Sequence, residues 1–186
     1  MEILQQQLRA VGRRERLWLV HRLDAATSGV VVFATTRPLA VHLGEAFRKG
    51  EVEKKYLALV TGVVQEDAGI IRVPIRVDGR RACCDPAGKP AETVWRVLER
   101  HRATMLLELR PATGRMHQLR VHLQEVGLPI VGDRWYGGKP AARLMLHAAT
   151  VRFGLTNGAI VELSAPLPAW AEKGTGGRVD SSEGGH

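Results

Sequence analysis

Cysteine is nearly absent: the 186 residues hold two, adjacent at positions 83 and 84. A disulfide framework or a zinc knuckle needs spaced thiols, so both are excluded and the pair reads as reduced structural thiols. Long apolar runs are missing as well. No uncharged stretch approaches the roughly 20 residues of a membrane-spanning helix, and the opening MEILQQQLRAVGRRER lacks the apolar core of a signal peptide, which together point to a cytoplasmic protein. No G-x-G-x-x-G follows a strand-like segment, which excludes a dinucleotide fingerprint, and no internal repeat occurs. His117 and His122 stand five apart, about 140° around a helix, unlike the i, i+4 pair of a zinc protease. With His147 distant in sequence, no metal site is expected. Acidic residues are the minority: 19 Asp plus Glu against 27 Lys plus Arg leave a net charge of +8 and a pI near 10.2. That excess fits a polyanionic partner, the plain alternative being a charge that only keeps the chain soluble.

What is present is the makeup of one ordinary globular domain, 45% hydrophobic and 25% charged. Residues 1–16 are polar and Arg-rich, with Ile3, Leu4, Leu8 and Val11 at helical spacing. Short apolar strands are predicted at 17–20 and 29–34. Thr35 and Thr36 can cap a helix that Pro38 suits in its first turn and that buries Leu39, Leu43 and Phe47 before ending near Gly50. Strands follow at 54–61, 69–73, 92–98 and 103–110, and the turn signals at Asp78-Gly79, Asp85-Pro86 and Gly88 make the stretch between the second and third of these a loop. Thr113 is placed to cap a helix burying Met116, Leu119, Leu123 and Val126, with Arg115, Gln118 and His122 on its other face and Gly127 and Pro129 ending it. Late strands are predicted at 144–147 and 160–163. Strands outnumber helices and are joined mostly by turns, so the fold expected is α+β, a largely antiparallel mixed sheet flanked by helices. The domain is expected to span 1–170, followed by a disordered Gly-rich tail at 171–186.

The stretch HRLDAATSGVVVFA, residues 21–34, concentrates the chemistry. If the segment is extended, alternation sends Arg22 and Asp24 to one side, where the guanidinium would keep the carboxylate ionised and ready as a nucleophile or base. The plain reading is a structural ion pair with Asp24, Thr27, Ser28 and Gly29 shaping a turn. An Arg-x-Asp alone names no enzyme.

The longer arrangement narrows the choice. HRLDAATSG at 21–29, KKYLALVTG at 54–62, ATGRMHQLRVHLQEVGLPIVGDRWYGG at 112–138 and LMLHAATVRF at 144–153 resemble, in order and spacing, the blocks of the RluA-type pseudouridine synthase family. The likeness runs from about Leu17 to Trp170. It implies a pseudouridine synthase catalytic domain that isomerises specific uridines to pseudouridine in structured ribosomal or transfer RNA. The family's nucleophilic aspartate matches Asp24, the tyrosine of its second block matches Tyr56, and the first arginine of its third block matches Arg115, expected to pair with Asp24. Arg22 becomes a candidate to fill the gap left in the RNA stack. His21, Thr27, His117, Gln118 and Arg120 become further candidate substrate contacts. The reaction gains no atoms and exchanges no electrons, so no cofactor is expected; the partner expected is RNA, with no membrane, and the protein a monomer.

Family members carry an Asn-Lys-Pro strand upstream of the first block, and many carry an accessory RNA-binding domain. The twenty residues before His21 resemble neither, so a shortened N-terminus without that strand is expected. Two rival readings follow. One is a catalytically inactive RNA-binding relative, such as a ribosome assembly factor. The other is a glycoside or nucleoside hydrolase, which needs a second acid near Asp24; Asp133 is its best candidate.

Overall fold

The computed structural model describes residues 2–12 and 16–172. In chain order these form α1 (Glu2–Ala10), β1 (Trp18–Leu19), β2 (Ser28–Gly29), β3 (Phe33–Ala34), α2 (Arg37–Lys49), β4 (Glu53–Thr61), β5 (Ala68–Ile71), β6 (Ile75–Asp78), β7 (Arg81–Cys84), β8 (Thr93–Arg100), β9 (Thr104–Pro111), α3 (Gln118–Glu125), β10 (Leu146–Gly154) and β11 (Ile160–Ser164), closed by a 3-10 turn at Ala169–Ala171. The expected Gly-rich tail lies, from residue 173 on, outside the described residues.

The main sheet runs in the order β11-β10-β4-β9-β8-β5, every neighbouring pair antiparallel. β2 joins it as the single parallel partner, lying beside β10 with Ser28 opposite His147 and Gly29 opposite Ala148. The α+β class with a largely antiparallel mixed sheet is therefore what the chain adopts. β4 and β9 are central, and Leu57–Val60 and Met105–Leu109 are buried on both faces, including Leu59, Met105, Leu107 and Leu109. One core lies between this sheet and α3; a second forms where Leu43 and Ala46 of α2 meet Val151 and Phe153 of β10.

Helix α2 begins as its sequence dictates. Thr36 Oγ1 accepts from the Leu39 amide, Pro38 sits in the first turn, and Gly50 closes the helix in the left-handed region. Three expectations need correction. The predicted strand at 29–34 is two pieces, because β2 pairs with β10 whereas β3 pairs with β1. The predicted loop between β5 and β8 contains a hairpin, β6–β7, whose Ile75 and Ala82 pack with Val121 and Tyr136 into a third small core. Helix α3 is shorter than predicted, starting after His117, and of its supposed polar face only Arg115, ahead of the helix, is exposed: Gln118 and His122 are buried, as is Arg120, whereas Val126 is exposed.

The parallel β2–β10 contact matters most for the site. Gly29 holds φ +116, and a Cβ there would lie 2.1 Å from the Ala148 carbonyl oxygen, so only glycine lets the strand approach. The segment ahead of it is drawn tight by the Thr27 amide donating to the Asp24 carbonyl at 2.9 Å and the Val30 amide donating to Ala148 O at 2.9 Å.

Candidate active site

The turn from His21 to Thr27 is pinned at both ends. His21 Nε2 accepts from the Val32 amide at 3.0 Å, and its ring stacks on Phe47 of α2 with centroids 4.5 Å apart. An imidazole that accepts at Nε2 is neutral, and burial lowers the pKa of His21 in keeping with that. At the other end β2 docks on β10. Asp24 is thereby presented over the N-terminus of α3, its side chain about a quarter exposed (27%).

All nine residues singled out from sequence, from His21 to Arg120, line one cavity of about 350 Å³. Their arrangement differs from expectation in one central respect. The guanidinium that meets Asp24 belongs to Arg120, not Arg115: Arg120 Nη1 donates to Asp24 Oδ2 at 3.3 Å. Arg115 stands exposed at the rim, its Nε donating to the Pro90 carbonyl at 3.0 Å. Arg22 is exposed at the same rim, and among the described residues the ion pairs of Asp24 are with Arg120 and, at 3.9 Å, with His117.

Arg120 is itself anchored from behind. Asp133 is buried and takes the fork of the guanidinium on both oxygens, Nε at 2.7 Å and Nη2 at 2.8 Å. Asp133 Oδ1 also accepts from the amides of Trp135 and Tyr136, at 3.0 and 3.2 Å. The Tyr136 and Trp135 rings lie 4.9 and 5.6 Å from the guanidinium carbon. Burial alone would weaken the charge of Arg120, yet the hydrogen bonds from Asp133 outweigh it and the pKa is raised. This geometry removes Asp133 as the second acid of a hydrolase. Its oxygens are committed to Arg120 and to backbone, and it lines neither the cavity described above nor the one on the other side of Asp24.

Gln118, expected to touch substrate, is fully engaged by the protein. Its Oε1 accepts from the Thr113 hydroxyl (2.6 Å) and the Arg115 amide (3.0 Å), and its Nε2 donates to Glu92 O and Thr93 Oγ1. It shapes the loop before α3. His117 occupies the left-handed region, φ 53, unusual for a residue with a side chain, and its Nδ1 lies 2.8 Å from the Tyr136 hydroxyl. Burial lowers its pKa against the opposing pull of Asp24. Thr27 Oγ1 is buried beside the cavity with no hydrogen-bond partner. On β4 the Tyr56 phenol faces the same space, its pKa raised to about 12 by burial and by the charge of Asp24. Two positions before it, on the same face of the strand, Lys54 donates to the Thr113 carbonyl at 3.2 Å, its pKa lowered by burial. Lys54 is a cavity residue that the motif reading passes over, although alternation along KKY places it with Tyr56. No group of three His, Cys, Asp or Glu able to hold a metal ion occurs among the described residues.

The arrangement thus offers a reachable carboxylate steered by a buried cation, a neutral phenol and an ammonium beside it, and exposed arginines at the mouth. The chain is also similar to known proteins. A family model described as RNA pseudouridylate synthase matches residues 1–125. An uncharacterized RNA pseudouridine synthase of Zymomonas mobilis is 40% identical over 159 residues, 81% of this chain and 73% of the relative. Ribosomal large subunit pseudouridine synthase D of Haemophilus ducreyi is 35% identical over 173 residues, 83% of this chain and 53% of the relative. The chain therefore spans between about half and three quarters of the length of these curated relatives. Among solved structures, human RNA pseudouridylate synthase domain containing 1 superposes with a TM-score of 0.79 at 31% identity, covering 91% of this chain and 76% of the other.

Proposed function

Because the chain belongs to the RNA pseudouridylate synthase family, whose reaction is the isomerisation of uridine to pseudouridine in RNA, we propose that it performs that reaction with Asp24 as its nucleophile. The observation that supports this most directly is the chain of contacts Asp133–Arg120–Asp24, which aims one carboxylate into a cavity and leaves it open. In the reaction the bond from ribose C1′ to the ring nitrogen breaks, the uracil turns within the pocket, and C1′ bonds to C5. The proton leaves C5 as the ring nitrogen regains one, so atoms and electrons balance.

Each step assigns work to residues in the cavity. Asp24 supplies the electron pair that carries the sugar or the base through the detached stage. Arg120 orients that carboxylate without reaching the base. Tyr56, protonated at neutral pH, lies against the uracil and hydrogen bonds to it or to Asp24. Thr27, with an unused hydroxyl, and Lys54, with a partly buried ammonium, hold polar atoms of the nucleotide. The target nucleotide must leave its stack, at a cost of a few kcal/mol; Arg22 and Arg115 at the mouth offset this by contacting phosphates and the vacated stack.

The name of the Haemophilus relative directs the first trial to large-subunit ribosomal RNA, with transfer RNA second. No helix among the described residues is long and apolar enough to cross a membrane, and we take the protein to work as a monomer in the cytoplasm. The test is tritium release from RNA labelled at uridine C5, read alongside binding. Wild type releases tritium, and Asp24→Asn releases none while retaining its affinity for RNA. Binding by the wild type without release on ribosomal or transfer RNA would make the chain an RNA-binding relative instead. Affinity should fall with salt at a slope of about −0.7 to −0.9 per phosphate contacted; a flat response would point to a small-molecule substrate.

A further inference from the structure

Asp24 faces two cavities, and the reaction described above uses only one of them. On the far side of Asp24, His117 and Arg120 lies a second space of about 600 Å³, which these three residues share with the first. Four alanines and a glycine leave much of it empty of side-chain bulk, and Arg134, Trp135, Arg143 and Leu144 complete its wall. We propose that this second cavity is the subsite for the nucleotide next to the target uridine, its base stacked on Trp135 and its phosphate held by Arg134 and Arg143. The inference rests on RNA being the ligand of the site.

Three observations carry it. First, Trp135 is 41% exposed, in a chain whose other tryptophans are less so. A large apolar ring left open beside a reacting carboxylate has given up burial that a core tryptophan would have, and a planar partner restores it. Second, the ring is rigidly mounted. The Trp135 amide is tied to Asp133, and the His117 ring meets the indole edge-on with centroids 5.4 Å apart. The Arg81 guanidinium, exposed and on the hairpin β6–β7, lies 5.6 Å from the ring centroid. A cation from the surface thus already lies against the ring, where a base would take its place. Third, Arg134 and Arg143 are exposed and have no carboxylate partner among the described residues, in contrast to Arg72, Arg76, Arg96, Arg100 and Arg152, which all do. Unpaired guanidinium groups beside an open aromatic ring are what single-stranded nucleic acid requires: cations for the backbone and a π-face for the base.

The chemistry gives the subsite a purpose. The target base must swing out, and its neighbour then loses a stacking partner; an indole at that position replaces it and keeps the strand from closing. Stacking of this kind is worth about 5- to 150-fold in affinity per base. It discriminates bases weakly, so the subsite favours purines over pyrimidines without reading a sequence.

The experiment uses the full chain in two arms. In the first, a fluorescein-labelled oligomer of ten uridines is titrated by anisotropy against wild type, Trp135→Ala and Trp135→Phe. Trp135→Ala should bind about 5- to 150-fold more weakly, and Trp135→Phe within a few-fold of wild type. In the second, once the modified uridine is mapped in a large-subunit ribosomal RNA transcript, a stem-loop containing it is made with an abasic residue on either side in turn. For one of the two, removal of the base should raise KM for wild type by the factor seen with Trp135→Ala, leave kcat within about twofold, and cost Trp135→Ala nothing further. If Trp135→Ala lowers kcat at unchanged KM, the indole merely buttresses Arg120 and the proposal falls. It falls equally if wild type is indifferent to both abasic residues, a result that needs no variant to fold. Should wild type form no pseudouridine while decamer binding depends on Trp135, the enzymatic reading fails and the stacking subsite stands.

Discussion

Arg120 sits between two carboxylates, and the structure predicts that removing their charges has opposite consequences. Asp24→Asn and Asp133→Asn are the same chemical change at nearly the same distance from one guanidinium. Asp133 is buried, holds Arg120 by two contacts of 2.7 and 2.8 Å, and has no water to replace them. Neutralising it turns an amide NH₂ toward N–H donors and leaves a buried cation short of its main partner, which costs about 3–5 kcal/mol. For a domain of this size each kcal/mol moves Tm by about 2–4 °C, so Asp133→Asn should melt about 6–20 °C below wild type. Asp24 is 27% exposed and meets Arg120 through one contact at 3.3 Å. Pairs open to water are worth about 0–1 kcal/mol, so Asp24→Asn should melt within about 4 °C of wild type. Activity divides the other way. Asp24→Asn should release no tritium, whereas Asp133→Asn, in which Arg120 is displaced but the nucleophile remains, should keep turning over at a kcat lowered by about 100-fold when assayed well below its Tm. Thermal melts followed by circular dichroism, with tritium release at a permissive temperature, decide it. Equal losses of Tm, or a greater loss for Asp24→Asn, would refute the assignment of one carboxylate to the frame and the other to the reaction.

Three further outcomes follow from the same structure. Burial raises the pKa of both tyrosines, Tyr56 up to about 12, so a near-ultraviolet difference titration should find well under half of the tyrosine ionised at pH 10, where a free tyrosine is about half ionised; half-ionisation there in the folded protein would contradict the site geometry. Burial lowers the pKa of His21, His117, His122 and His147; between their folded values and the unfolded value of about 6.5 the unfolded chain binds more protons, so stability is whole above that range and lost as pH falls through it. Urea midpoints at about pH 7.5 and about pH 5.5 should differ accordingly, and equal midpoints would dismiss the neutral imidazoles. Gly29→Ala places a Cβ against the Ala148 carbonyl at φ +116, and should cost about 2–4 kcal/mol by urea denaturation and lower kcat by loosening the turn that carries Asp24; a loss under about 0.5 kcal/mol would mean that β2 does not need its contact with β10.

The parts of the fold legible in the sequence are those whose signals are local. Helix α2 is announced by Thr36, Pro38 and the 39/43/47 stripe, and each does its expected work. Strands β4, β8, β9 and β11 are long enough for their β-branched and aliphatic residues to register, whereas β10, expected at 144–147, runs instead over Leu146–Gly154. The hairpin β6–β7 escaped because half of the side chains in its four-residue strands, IRVD and RACC, are exposed and the hairpin takes its anchorage from Tyr136, whose hydroxyl accepts from the Ala82 amide at 3.0 Å. The division of residues 28–34 into β2 and β3 depends on which distant strand each piece meets, and nothing within GVVVFA encodes that. Thr113 has the side chain of a helix cap but spends it on Gln118, so α3 begins at His117 instead.

The site was legible as a set of residues and not as a set of pairs, and the reason is geometric. Asp24 opens a turn held by its hydrogen bond with Thr27, and residues 21–24 belong to no strand, so the alternation of an extended strand does not apply to Arg22 and Asp24. The choice between Arg115 and Arg120 had a signal of its own. Arg120 stands four residues after Met116 and three before Leu123, on the apolar side of the helix, and a guanidinium carried into a core demands a buried anion. Asp133 is that anion, and its bidentate hold explains the rest. A carboxylate given both arms of the fork would be neutralised in effect and rigid, a poor nucleophile. Asp133 takes Nε and Nη2, and Asp24 receives an N–H of Nη1 at the longer 3.3 Å, with its Oδ1 no closer than 3.9 Å to His117. Two negative charges share one positive, so the unsatisfied charge falls on the carboxylate that opens on the cavity. A buried aspartate that never meets the substrate is thus what allows Asp24 to be oriented and still reactive.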